Sequence, residues 1–153
     1  MPGVPEAELV DLLTEIIARE MINPPGKEGA LAEYFVDRFE ASPVEFDIKR
    51  QEVQPGRPNV VARAGDPAKG SLLLTGHMDV VPASPDDWSA DLFELQRENA
   101  RLIGRGTADM RGALAAKLVA AEAFLTEYDD TGEVILAFTV DEEVGGSGNS
   151  SAC

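Results

Sequence analysis

The chain has 153 residues, 44% hydrophobic and 27% charged, which gives room for one domain with a sizeable core and excludes a disordered composition. Its net charge of −15, from 28 acidic and 13 basic residues, argues against nucleic acid and anionic membrane as partners. No apolar run reaches the roughly 18 residues of a transmembrane helix. The acidic start, MPGVPEAELVDLL, lacks the basic and apolar regions of a signal peptide, so a cytoplasmic protein is expected. The acids are spread along the chain, as on a solvated acidic surface or one adapted to high salt. Cys153 is the only cysteine, which leaves no internal disulfide and no cysteine-based zinc cluster.

Pro5–Met21 reads as a first helix, with Leu9, Leu12, Leu13, Ile16 and Ile17 in one apolar stripe. Asn23-Pro24-Pro25-Gly26 stops it. Glu28–Glu40 reads as a second helix, facing the core through Leu31, Tyr34, Phe35 and Phe39. The period then changes to alternation at Val44, Phe46 and Ile48, the pattern of a half-exposed strand running toward Val53. Asn59–Ala64 is a second strand, Gly65–Gly70 a loop, and Ser71–Thr75 a third strand, apolar on both faces and so expected at the centre of the sheet. Ala83–Asp91 is a loop holding the only tryptophan, Trp88, and Phe93–Gln96 with Arg101–Ile103 reads as a short hairpin. Met110–Glu127 is a long helix with Leu114, Leu118, Ala121, Phe124 and Leu125 on one side. Val134–Val140 is a fully apolar strand.

This order implies a layered α/β fold with a mixed sheet. A helical crossover makes the strands ending at Thr75 and Val140 parallel, so their carboxyl ends share one sheet edge, where such folds bind ligands. His77, the only histidine, and Asp141-Glu142-Glu143 then lie side by side. His77 offers a nitrogen ligand to zinc or a similar metal, and Asp79 is placed to accept its other ring N–H. A hydrogen-bonded structural histidine satisfies the same stretch. Asp109, at the mouth of the long helix, reads as an N-cap or as a carboxylate between two metal ions. The acidic triplet reads as a solvated turn. It reads equally as a metal site in which one glutamate binds the ion while its neighbour acts as general base. No GxSxG elbow, P-loop or GxGxxG is present.

TGHMDVVP, GRGTADMRGALAA and TVDEEVGGSG resemble the three N-terminal signatures of the M20 metallopeptidase family. That family includes enzymes of the acetylornithine deacetylase, succinyl-diaminopimelate desuccinylase and carboxypeptidase G type. The Asn23-Pro24-Pro25-Gly26 stop is also similar. The resemblance implies a three-layer zinc-peptidase-like fold with a mixed, largely parallel central sheet. It makes His77 and Glu143 ligands of separate zinc ions, Asp109 their bridge, Asp79 the acid orienting His77, and Glu142 the general base, with cobalt a possible substitute for zinc. The implied substrate is a small peptide or N-acyl amino acid, hydrolysed at its amide.

Members of that family are longer, and carry a dimerisation domain and further ligands, an acid and a histidine, downstream. The expectation is therefore that residues 1–149 form the N-terminal part of a truncated catalytic domain and that Ser150–Cys153 is an atypical tail from an interrupted frame. The dimerisation domain and the C-terminal part of the catalytic domain are then absent. The competing expectation is an inactive remnant, or one half of a split enzyme whose partner is a separately encoded C-terminal half.

Overall fold

The computed structural model describes residues 5–148. The expectations for Asn149 and the Ser150–Cys153 tail fall outside them. Helix α1 covers Glu6–Ile17 and buries Leu12, Leu13, Ile16 and Ile17, with Glu6 and Glu8 in its first turn, where negative charge suits the helix dipole. It ends before the expected Met21 because residues 18–26 have another use. Val80 N–H donates to Met21 O (3.0 Å) and Asn23 N–H to Val80 O (2.9 Å), which ties the segment to the residues after His77. Helix α2, Gly29–Glu40, buries Leu31, Ala32, Phe35, Val36 and Phe39.

Strands β1 (Asp47–Gln54), β2 (Arg57–Ala64), β3 (Asp66–His77) and β6 (Gly132–Thr139) form a four-stranded sheet in the order β1-β2-β6-β3. Gln96–Glu98 (β4) and Arg101–Ile103 (β5) make the separate hairpin. Helix α3, Gly112–Glu127, connects back to β6. All three helices contribute to one cluster with Val60, Ala62, Val134, Leu136 and Phe138 on one sheet face. Phe138 lies 4.4 Å from Phe35 and 5.9 Å from Phe39, centroid to centroid, so the two layers interlock through aromatic rings. No helix among the described residues is long and apolar enough to cross a membrane.

The mixed sheet is as expected, and β3 pairs with β6 in parallel from Ser71↔Glu133 to His77↔Thr139. Its balance differs from the sequence reading. The β1–β2 and β2–β6 pairs are antiparallel, leaving β3–β6 as the parallel pair of the four-stranded sheet. Among the described residues strand β3 is also an edge rather than the centre, and Leu72 and Leu73 are 56% and 48% exposed. Apolarity on both faces suits a strand to be covered on both sides, but it does not say by which neighbours. The expected loop Gly65–Gly70 largely belongs to β3, whose register shifts between Asp66 and Ser71. Phe124, expected on the core side of α3, is 44% exposed and packs its ring on Tyr128.

Candidate metal centre

Strand β3 ends at His77, and the parallel register sets it beside Thr139, two residues before Asp141. Gly76 lets Met110 and Leu114 pack close against the end of the strand: a side chain there would meet both. His77 is buried and its Nε2 lies 3.1 Å from Asp109 Oδ1 and 3.7 Å from Glu142 Oε2. Its Nδ1 faces Asp79, 3.1 Å from the backbone carbonyl and 3.5 Å from Oδ1. The tautomer that leaves Nε2 free for a metal carries its proton on Nδ1 and donates it to that carbonyl. Burial lowers the pKa of His77, but the Asp79 and Asp109 hydrogen bonds outweigh it and raise the value to about 9.

Asp109 is not an N-cap. Helix α3 starts at Gly112, after a wide turn over Thr107–Arg111 in which Asp109 has extended backbone angles (φ −132°, ψ 100°). The turn throws the carboxylate outward toward His77. Arg111, fully buried, fixes the base of the turn by donating to Met78 O (3.2 Å), Ile16 O (3.2 Å) and Arg19 O (2.7 Å).

The acidic triplet divides. Glu142 and Glu143 belong to the His77 side, whereas Asp141 turns the other way, with φ +62°. There it accepts from Asn23 Nδ2 (3.1 Å), Arg57 Nη2 (3.1 Å) and Ser147 Oγ (2.5 Å). The Ser147 hydroxyl, with Asn23 and Arg57, holds Asp141 below the usual carboxylate range against the effect of burial. Glu143 is shifted upward, first by burial and then by the charges of Asp109, Asp79 and Glu142. The repulsion inferred from sequence thus falls on Glu143, while Asp141 is relieved of it by its own partners.

Asp79 is wholly buried. Besides facing His77, its carboxylate accepts from Asn23 Nδ2 (2.8 Å), Glu143 N–H (3.1 Å) and Glu142 N–H (3.3 Å). Burial opposes the charge, yet the hydrogen bonds from His77, Asn23 and these amides pull its pKa down to about 2. Asp79 therefore touches the elements that carry His77, Glu142 and Glu143.

Ligand atoms of His77, Asp109 and Glu143 lie within 4.8 Å of one another. Two donors bound tetrahedrally at zinc distances sit about 3.4 Å apart, so the 3.1 Å between His77 and Asp109 fits a shared ion. One imidazole and two carboxylates is a donor set that suits zinc. The three sequence-predicted ligands thus come together, with Glu142 beside them. Sequence reasoning missed Asn23, Glu28 and Arg57. The signal available was the pair of polar side chains flanking the Pro-Pro-Gly turn.

The sequence matches the model of peptidase family M20/M25/M40 over residues 73–152. It is 36% identical over 143 residues to succinyl-diaminopimelate desuccinylase of Thioalkalivibrio sulfidiphilus, covering 90% of this chain and 35% of the relative. It is 30% identical over 151 residues to N-formyl-4-amino-5-aminomethyl-2-methylpyrimidine deformylase of Bacillus subtilis, covering 95% and 35%. Among solved structures, an M20 family metallo-carboxypeptidase from Sulfolobus solfataricus superimposes with a TM-score of 0.77 at 29% identity, covering 91% of this chain and 32% of that one. The chain spans about a third of the length of these relatives. With the family match extending over more than half of its residues, the chain belongs to peptidase family M20/M25/M40.

Proposed function

We propose that this chain carries part of the site of a metal-dependent amide hydrolase, acting on a small peptide or N-acyl amino acid. The observation that carries the reading is the convergence of His77, Asp109 and Glu143, with Glu142 Oε2 3.7 Å from His77 Nε2. His77, Asp109 and Glu143 hold zinc, or cobalt in its place, and Asp109 is the carboxylate able to serve two ions. Zinc there supplies a Lewis acid for a carbonyl oxygen and lowers the pKa of a bound water. Glu142 is the general base: it takes a proton from the attacking water and delivers it to the amine nitrogen as the amide C–N bond breaks. Water and amide become carboxylate and amine. Asp79 holds the His77 ring through Nδ1. Two of the relatives, a desuccinylase and a deformylase, remove acyl groups from amines, which supports deacylation.

A second reading rests on the ligand set. The described residues supply a single three-residue group, and the chain spans about a third of the length of its relatives. The site is then shared with ligands from outside the described residues.

Calorimetric zinc titration of the chain, beside hydrolysis of N-succinyl, N-formyl and dipeptide amides with added zinc or cobalt, tests both. Tight zinc binding lost in His77→Ala, with turnover lost but zinc kept in Glu142→Gln, is the expected result. Zinc binding without turnover favours the shared site. Absence of zinc binding overturns the metal centre.

A further inference from the structure

The Asn23-Pro24-Pro25-Gly26 stop lies far from Glu142 in sequence, and the metal centre does not use it. Its side chains nevertheless meet behind the Asp141–Glu143 turn. Asn23 is buried, and its amide nitrogen sits between two carboxylates, 2.8 Å from Asp79 Oδ2 and 3.1 Å from Asp141 Oδ1. The two N–H bonds of that nitrogen serve one carboxylate each. Glu28, fully buried two residues after Gly26, pairs with Arg57 through Nε (2.7 Å) and Nη2 (2.6 Å). It also accepts from Asp141 N–H at 3.3 Å. Arg57 in turn reaches Asp141 Oδ1. Gly26 has φ +73°, and a side chain on it would collide with the Arg57 guanidinium. Its lack of one is what lets the arginine lie against the turn.

We propose that the segment Asn23–Glu28 positions the Asp141–Glu143 turn, with Asn23 as the residue that sets the direction of Glu142 and Glu143. Asp141 is held in a left-handed conformation that only a few side chains adopt readily, and its side-chain partners come from this segment, Gln54, Arg57 and Ser147. Asp79 is held by the same Asn23 amide and receives the N–H groups of Glu142 and Glu143. Without Asn23, two buried carboxylates lose a shared donor, and the cheapest relief is for the turn to swing toward water. Asn23 touches no reacting atom. Its effect reaches the centre through Asp79 and Asp141.

The inference rests on the proposed metal centre for its meaning, but its test is separable. Backbone amide hydrogen exchange of Asn23→Ala, without metal, is compared with the unsubstituted chain. Exchange at Glu142 and Glu143 should accelerate by about tenfold or more, with Leu136 in β6 keeping its protection. Asn23→Ser, which retains a shorter donor, should show the same local pattern at smaller amplitude. It also serves if the alanine variant folds poorly. Unchanged exchange at Glu142 and Glu143, or acceleration spread uniformly through β6, overturns the positioning role. In parallel, the zinc dissociation constant should weaken by about 10–100-fold in Asn23→Ala, the scale of residues that orient ligands from behind. If the unsubstituted chain binds no zinc, the metal centre fails while the exchange result still decides the role of Asn23. If it binds zinc and the variant binds it equally well, the positioning role fails while the centre stands.

Discussion

His77 Nε2 and Asp109 Oδ1 lie 3.1 Å apart, although one residue closes an edge strand and the other stands in the turn that feeds the following helix. The side chains differ sharply in burial, 6% exposed for His77 and 77% for Asp109. A buried nitrogen at the floor and an exposed carboxylate at the rim is a workable way to admit an ion from solvent. His77→Ala should therefore abolish zinc binding, whereas Asp109→Ala should weaken it and leave the fold intact. Calorimetric titration and far-ultraviolet circular dichroism of the two variants check this.

Asp79 gives a pH-dependent outcome for the metal-free chain. Its folded pKa is about 2, below the ordinary 3.8, so the folded state binds the proton less readily than the unfolded state. The stability this contributes is fully present above pH 3.8 and is lost as the pH falls through about 2. Asp79→Asn removes that limb. Denaturant midpoints measured in chelator from pH 5 to about 2 should fall less steeply in the variant. At neutral pH the variant should be less stable, because the amide presents one acceptor oxygen to the donors that the carboxylate serves with two.

The convergence of His77, Asp109 and the glutamates was legible because each element announces itself locally. The apolar runs of β3 and β6 each lead directly into the polar residues, and an intervening helix dictates their parallel pairing. Once the strand ends share an edge, the polar residues that follow must meet there. The Asn23–Glu28 segment was legible only as a helix stop, since its partners Arg57, Asp79 and Asp141 are joined to it by tertiary contacts that carry no local period. The edge position of β3 among the described residues was not legible for a related reason. Side-chain apolarity reports the covering of a strand's faces, whereas being an edge concerns its backbone.

The free side of β3 has a consequence for self-association. Leu72 and Leu73 are exposed near an edge where Lys117 Nζ donates to Thr75 O at 2.6 Å. That lysine blunts one point of the edge and leaves the leucines uncovered. Leu73→Lys should extend the protection. The expected outcome is less light scattering at high protein concentration, with a thermal midpoint close to that of the unsubstituted chain.

Asn59 closes the loop that Asp141 opens. It is fully buried on β2, donating from Nδ2 to Gly148 O at 2.8 Å and accepting from Val140 N–H at 3.0 Å through Oδ1. Gly148 can lie this close because it lacks a side chain: a Cβ there would collide with the Val140 carbonyl. Asn59→Ala leaves two buried backbone groups without their partner, and each costs about 1–3 kcal/mol when unsatisfied. The variant should lose about 2–6 kcal/mol in a denaturant titration. Asn59→Asp keeps the acceptor for Val140 but sets a carboxylate against the Gly148 carbonyl oxygen, so it should not rescue. If Asn59→Asp recovers most of the loss, the Nδ2 bond to Gly148 is not what holds the loop.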